Sequence, residues 1–253
     1  MLRHKLKSHA RELVFASHKP HVFSVTFLYI LIVMMLAMII GNLSDFGRVQ
    51  AEMLDQMWTV MADTVRIGEN AAFSLPVFRV TLFGSFFFVA STLLAWMVDL
   101  GYLYYARGIV RADSGLGYRS LLEGFNYFAK AVLLRLISGM AISLGMLLFV
   151  LPGLIFSAAF SQVNLLLLDY PDKSVRWYFG ESVRLMNGHK REYLFLQLSF
   201  IGWIFLQALP FLGHAVRVFL TPYMSITFVN YYHHLTGRGP ENKEDGWQRP
   251  GMF

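Results

Sequence analysis

The sequence predicts an all-α polytopic membrane protein with six transmembrane helices and three cytoplasmic interfacial amphipathic helices. Hydrophobic residues make up 56% of the 253-residue chain and charged residues 15%, against the ~25% charged residues of soluble domains. The apolar residues gather in runs of about 20, the length that crosses ~30 Å of hydrocarbon at ~1.5 Å per residue. The basic residues lie beside these runs, so the net charge of +6 indicates membrane topology and no nucleic-acid partner.

Six apolar runs define the predicted spans. The first is followed by no small-x-small cleavage motif, so we interpret it as an uncleaved span and not as a signal peptide. The third and fourth runs form one stretch too long for a single span, and we place a hairpin at Leu151-Pro152-Gly153. Leu209-Pro210-Phe211-Leu212-Gly213 divides the last two runs in the same way. The predicted spans are 22–41, 76–98, 131–151, 153–170, 193–211 and 213–233.

The distribution of lysine and arginine orients these spans. Basic residues precede span one and collect between spans two and three and between spans four and five. The outer loop 42–75 is acidic instead, and the hairpin tips are nearly uncharged. The positive-inside rule therefore places both termini in the cytoplasm. We predict a single integral membrane domain over 1–235, followed by a polar, flexible cytoplasmic tail over 236–253.

Amphipathic segments precede spans one, three and five. Their apolar residues recur at spacings of three and four, which is typical of helices lying in the headgroup layer. The apolar stripes are Leu2, Leu6, Ala10, Leu13 and Val14; Tyr118, Leu121, Leu122 and Phe125; and Val175, Tyr178, Phe179, Ser182, Val183 and Met186. Asp172 is the predicted N-cap of the third helix. Ser17, Gly124 and Gly188 align as hinges, which indicates a threefold repeat of amphipathic helix, span, outer turn and span.

Between Leu100 and Tyr232 the chain carries a series of short motifs. They are Leu151-Pro152-Gly153, Asp169-Tyr170-Pro171-Asp172, Glu181-Ser182, Met186-Asn187-Gly188-His189-Lys190, Ser199-Phe200-Ile201-Gly202-Trp203 and Pro222-Tyr223. In this order they resemble an uncharacterised family of bacterial polytopic integral membrane proteins, a domain of unknown function that is distantly similar to the membrane domain of glycerophosphodiester phosphodiesterases. The resemblance implies a multi-pass helical fold in the bacterial cytoplasmic membrane, and it implies no activity. His214 and Arg217 depart from the apolar, glycine-containing link that family members have between the last two spans.

Gly188 separates the third amphipathic helix from span five and is followed by His189 and Lys190. Glycine at this position ends a helix in the left-handed conformation, and cationic side chains beside it complement the helix C-terminus. Together with Arg184 and Arg191, the same two residues could instead bind a phosphate or a lipid headgroup. Capping explains every residue type without a ligand and is the interpretation we prefer.

Carboxylates also collect at the cytoplasmic membrane face, because Asp169 closes span four and Glu181 lies on the helix that follows. A proton-coupled transporter could use such a group, but acids at span ends also pair with neighbouring arginines. A hydrolase of lipid headgroups would need Asp169, Glu181 and His189 in one open site. The chain contains no recognisable catalytic motif, so we assign no catalytic residue and do not predict an enzyme.

Polar residues inside the predicted spans include Arg135, Gln162, Asn164 and Gln197. Hydrocarbon is a costly environment for them, so we expect them to face the interior of the bundle. They could line a cavity that admits a substrate, or they could join helices across a dry bundle. A cavity reaching Gln162, Asn164 and Gln197 would favour lipid handling or transport, and dry packing would favour a scaffold.

No cofactor and no metal site is predicted. The chain has no cysteine, which excludes disulfides and thiolate ligands. Met53, Met57 and Met61 form an apolar stripe that we interpret as resting on the outer leaflet or covering the bundle, and not as a copper site. The expected partners are membrane lipids and, as a further candidate, a membrane protein. The predicted role is non-catalytic lipid handling or small-molecule transport. The alternatives are a scaffold or subunit of a larger complex, and an enzyme acting on headgroups.

Overall fold

The computed structural model describes residues 2–15, 21–43, 52–62, 81–207 and 212–237, and every regular element in these ranges is a helix. The elements are α1 (Leu2–Phe15), α2 (His21–Leu43), α3 (52–62), α4 (Leu82–Arg111), a 3-10 helix (Tyr118–Tyr127), α5 (Phe128–Leu148), α6 (Val150–Ala159), α7 (Val163–Asp169), α8 (Val175–Leu185), α9 (Lys190–Leu198), α10 (Ile201–Gln207) and α11 (Leu212–Leu235). The all-α prediction is confirmed for these residues. Several predicted features lie outside them, namely the hinge residue Ser17, most of the outer loop 42–75, the start of span 76–98, the link 208–211 and nearly all of the tail 236–253.

Four helical segments of the described chain are long and apolar enough to cross a membrane. They are His21–Leu43, Leu82–Arg111, Tyr118–Leu148 and Val150–Asp169. Large apolar side chains at the tip between α5 and α6 are exposed, with Leu147 84% and Phe149 74% accessible. Such a surface fits hydrocarbon better than water. These four segments contain most of the first four predicted spans.

The chain divides into two compact units, and the smaller one comprises residues 31–96. It contains the C-terminal part of α2, the whole of α3 and the N-terminal part of α4. In α3 the methionine stripe is exposed, as is Trp58. In α4 the ring of Phe87 makes edge contacts with Phe83 and Phe86, with centroids 4.7 and 5.5 Å apart. The larger unit contains all the candidate site residues.

A hairpin joins α5 and α6 close to its predicted position, but Leu151-Pro152-Gly153 does not make the reversal. Phe149 makes it with an extended backbone, φ −162° and ψ 151°. Pro152 lies in the first turn of α6, where its missing N–H removes no helical hydrogen bond. A Cβ on Gly145 would lie 3.0 Å from the backbone of Gly153, so these two glycines allow the close approach of the helices.

The predicted span 153–170 is not one continuous helix. The helix stops at Ala159 and resumes at Val163. The Ser161 hydroxyl donates to the Ala158 carbonyl at 2.8 Å, a local bond that competes with helical pairing. Ser182 of α8 supplies the missing partners, because its hydroxyl donates to the Ala159 carbonyl at 2.7 Å and accepts from the Gln162 amide at 3.3 Å. The backbone groups that the break leaves without helical partners at Ala159 and Gln162 are therefore hydrogen-bonded by another helix.

The second amphipathic segment forms a 3-10 helix and not the expected α-helix. Its buried side is Ser120, Leu121 and Gly124, a spacing that suits three residues per turn. Leu122, predicted to be on the apolar stripe, is 62% exposed. A Cβ on Gly124 would collide with the Met97 carbonyl of α4. Gly124 thus serves a close helix crossing, and it is not the hinge that the predicted repeat requires.

The other two amphipathic helices bury part of their apolar stripes in protein, whereas Val183 of α8 is exposed. In α1, Leu6, Ala10 and Val14 are buried, and this helix packs along α11. In α8, Tyr178 and Ser182 are fully buried. The N-cap of α8 is Ser174, whose hydroxyl accepts from the Trp177 amide, and not Asp172. Asp172 lies too early in the chain, because residues 171–174 turn before the helix begins.

The C-terminal helices depart from the predicted spans 193–211 and 213–233. The former is divided into α9 and α10 at Ser199 and Phe200, where the Ser199 hydroxyl bonds back to a carbonyl of its own helix. The α11 helix runs through Pro222 without interruption and is among the most buried elements, with Ile226, Val229 and Tyr232 inaccessible to solvent. Six spans and a threefold repeat therefore remain predictions.

Candidate functional site

Asp169 lies where α7 meets α4 and α11. Its carboxylate accepts from Arg107 Nη1 at 2.8 Å, from Arg111 Nη2 at 2.7 and 2.8 Å, and from the Tyr232 hydroxyl at 2.9 Å. These four bonds occupy the roughly four acceptor positions of a carboxylate. Arg107 also donates to the Leu168 carbonyl at 2.6 Å. The last residue of α7 is thus joined to two other helices.

This cluster is buried, because the side chain of Asp169 is 1% exposed and that of Arg107 is 9% exposed. Ions out of water need close partners, and here one carboxylate is shared by two guanidinium groups. The sequence left two roles open for Asp169, proton-coupled transport and pairing with neighbouring arginines, and the structure shows the pairing. All the acceptor positions of the carboxylate are used inside the protein, so the geometry indicates a joint between helices.

The residues around the α8–α9 turn are paired locally. Glu181 accepts from Arg184 one turn away, and this hydrogen bond raises the pKa of the Arg184 guanidinium above its ordinary value. Gly188 has φ +81°, which confirms the left-handed helix end. His189 Nδ1 lies 3.3 Å from Glu192, and Lys190 begins α9 half-exposed. The turn itself is fixed by the Tyr231 hydroxyl, which donates to the carbonyl of His189 at 3.0 Å.

The three residues of the hydrolase hypothesis have separate partners. Asp169 is bound to α4 and α11, Glu181 to its own helix, and His189 to the first turn of α9. Asp169 is also closed off from solvent. These contacts do not assemble the three side chains into one open site.

Arg135 belongs to a polar cluster between α2, α4 and α5. Its Nη2 lies 3.1 Å from Asp99, which also accepts from the Tyr29 hydroxyl at 2.9 Å. The Tyr29 ring stacks on Tyr102, and the Tyr102 hydroxyl lies 2.9 Å from that of Thr26. The sequence marks Asp99 as the end of span two but gives no sign that it pairs with Arg135, because helix neighbours in a bundle are not encoded in local spacing.

Gln162 is the most buried of the predicted intramembrane polar residues, at 2% exposure. Its Nε2 donates to the Ser161 hydroxyl at 2.8 Å and contacts the Met186 sulfur at 3.6 Å. Asn164 and Gln197 are half-buried. None of the three lines the cavity described next. Gln162 and Gln197 are instead linked inside the protein, because Ser161, which accepts from Gln162, and Gln197 both hydrogen-bond the buried Tyr193.

A cavity of about 530 Å³ lies between α1, α10 and α11. This volume is within the range of ~300–1,000 Å³ that is usual for ligand pockets. Its lining consists of Arg11, Phe15, Trp203, Ala215, Val216, Phe219, Leu220 and Tyr223. The wall is apolar except for the guanidinium of Arg11, the phenol of Tyr223 and the indole N–H of Trp203. The sequence did not predict this site, because its walls come from opposite ends of the chain; the only local signal was the position of Arg11 on an amphipathic helix.

Within the described ranges, no group of three or more His, Asp or Glu side chains could hold a metal ion. No curated protein and no solved structure matches the chain. The resemblance to a family of unknown function is confirmed for the matching segment, while the relation to glycerophosphodiester phosphodiesterases stays a prediction. The matching segment begins in α5 and includes Gln162, Asp169, Ser182 and Tyr232. Over residues 146–239, the chain matches the family described as "Protein of unknown function (DUF975)".

Proposed function

We propose that this chain is a multi-pass protein of the bacterial cytoplasmic membrane that binds lipid without catalysing a reaction. The four long apolar helices and the exposed apolar hairpin tip support a membrane location. We further propose that α9 with α10, and α11, supply the fifth and sixth spans, with both termini in the cytoplasm. The threefold repeat stays a further proposal, in which the second copy lacks a glycine hinge because Gly124 lies inside the 3-10 helix.

The cavity between α1, α10 and α11 is the observation that carries the lipid-binding role. Aromatic and branched side chains such as Phe219 and Leu220 offer no hydrogen bonds to a polar solute, whereas an alkyl chain buries its surface against them. Gln162, Asn164 and Gln197 lie away from the cavity wall, so a polar solute would lose the groups that we expected to guide it. These features favour lipid over a polar transport substrate.

Filling the cavity tests this proposal. Ala215 lines the cavity, and we expect Ala215→Trp to reduce the lipid that copurifies with the protein by severalfold, because the indole would occupy the space of an alkyl chain. The measurement is native mass spectrometry after extraction in lipid nanodiscs. Ala129→Trp is the matched control, since Ala129 is also an exposed helical alanine but does not line the cavity.

Both variants should keep the thermal unfolding temperature of the parent within a few degrees. Unchanged lipid content in Ala215→Trp, with the fold intact, would argue against the cavity as the binding site. Equal losses in both variants would mean that the indole acts through the membrane surface and not through the cavity.

A further inference from the structure

Three cations follow one face of α1 and end at the cavity. Arg3, Lys7 and Arg11 are spaced four residues apart, which places them on one side of a helix. Like charges at this spacing repel each other and weaken a helix. We call this set the α1 cation row. The positive-inside rule accounts for the presence of these charges before span one, and their neighbours decide what else they contact.

The cation row packs on aromatic rings of α9 and of the turn between α9 and α10. The Lys7 ammonium lies 4.0 Å from the centroid of Phe200, and the Arg3 guanidinium lies 5.4 Å from that of Phe195. Lys7 also donates to the Ser199 carbonyl at 3.3 Å. Arg11 is the member that lines the cavity, close to Tyr223. The row therefore runs along the protein surface, and its last member, Arg11, lies in the wall of the cavity.

No member of the row has an acidic partner among the ion pairs of the described residues. Burial lowers the pKa of Lys7, and the positive charge of Arg3 lowers it further. Both causes disfavour a cation at this position, and an anion placed beside it would oppose both. The protein thus holds an excess of positive charge that an external acid would complement.

We propose that the cavity binds an anionic lipid, with one acyl chain among Trp203, Phe219 and Leu220 and the acidic headgroup on Arg11 and Lys7. This inference rests on the proposed lipid-binding function and adds the ligand class. The cavity volume of about 530 Å³ is within the range of ~300–1,000 Å³ of sites that bind a ligand the size of an acyl chain. A phosphate and a carboxylate share the chemistry that Arg11 recognises.

The test is a titration of the purified full chain by native mass spectrometry with four probes. These are palmitoyl lysophosphatidylglycerol, palmitate, the zwitterionic palmitoyl lysophosphatidylcholine and inorganic phosphate. We expect both anionic lipids to bind at least tenfold more tightly than the zwitterionic one, and phosphate alone to bind far more weakly. Arg11→Glu should remove the preference by weakening only the anionic lipids. Arg176→Glu, the same charge reversal at an exposed residue of α8 that does not line the cavity, should retain it.

The outcomes separate the two proposals. If every palmitoyl probe binds equally well to the parent and to Arg11→Glu, the anionic class is wrong and lipid binding stands. If no palmitoyl probe binds, both are wrong. If phosphate alone binds as tightly as the lysolipid, the acyl chamber is not part of the site and the inference fails. The preference of the parent protein is a readout that does not depend on whether Arg11→Glu folds.

Discussion

Replacing Asp169 with alanine is expected to lower the free energy of unfolding by about 3–5 kcal/mol, which is the usual cost of removing one partner of a buried ion pair. The substitution leaves the guanidinium of Arg107 buried, with its main counter-ion lost, and deprives the Tyr232 hydroxyl of its acceptor. Denaturant unfolding in micelles, followed by far-ultraviolet circular dichroism, measures the loss. Glu181→Ala is the matched control, because its partner Arg184 on α8 is 72% exposed and this solvent-screened pair should contribute ~0–1 kcal/mol.

A double substitution separates pairing from packing in this cluster. Asp169→Leu with Arg107→Leu removes the two buried charges and leaves unpaired only Arg111, whose side chain is 29% exposed, so it should be less destabilising than Asp169→Ala. A change of under about 1 kcal/mol in Asp169→Ala would contradict the role of this carboxylate as a joint between α4, α7 and α11, because a buried unpaired charge costs more than that.

Alanine at Gly124 or at Gly101 is expected to have the second large effect. A Cβ on Gly101 would collide with the Leu121 carbonyl, and a Cβ on Gly124 with the Met97 carbonyl. Backbone atoms cannot rotate away as side chains do, so α4 and the 3-10 helix must separate. We expect a loss of about 1–3 kcal/mol or more in the free energy of unfolding for each variant.

Gly139→Ala provides the matched control for these two variants. Gly139 is also a helical glycine, but nothing lies within 4 Å of an added Cβ. Alanine is preferred to glycine in a helix by about 1 kcal/mol, so this variant should be neutral or stabilising. If Gly101→Ala and Gly124→Ala also stabilise the protein, the close crossing of α4 and the 3-10 helix is not present in solution.

The length of the apolar runs predicted the helical class and the positions of the four candidate spans, because both are local properties of the chain. It did not predict where helices break. The interruption at Phe160–Gln162 is stable only because Ser182 of α8 reaches its free backbone groups, and that contact joins residues about twenty positions apart. The 3-10 conformation of Tyr118–Tyr127 likewise depends on Gly124 meeting the backbone of α4.

The candidate site was less predictable than the fold. Asp169 was identified as a carboxylate at a span end, but its partners Arg107 and Arg111 lie about sixty residues earlier. The cavity combines the first helix with the last one, and no spacing rule links Arg11 to Tyr223. His189 and Lys190 after Gly188, which the sequence also allowed as a phosphate or headgroup site, lie at a turn to which Tyr231 donates a hydrogen bond.

We expect lipid to occupy the cavity between α1, α10 and α11 in the cell, and photo-crosslinking in native membranes can detect it there. Cells would incorporate a palmitate analogue that carries a diazirine near its terminal methyl group, and the adducts would be located by peptide mass spectrometry. We expect adducts on Trp203 and on the segment 215–223, and their loss in Ala215→Trp. Adducts confined to the exposed apolar tip of α5 and α6, with none on the cavity wall, would contradict the claim.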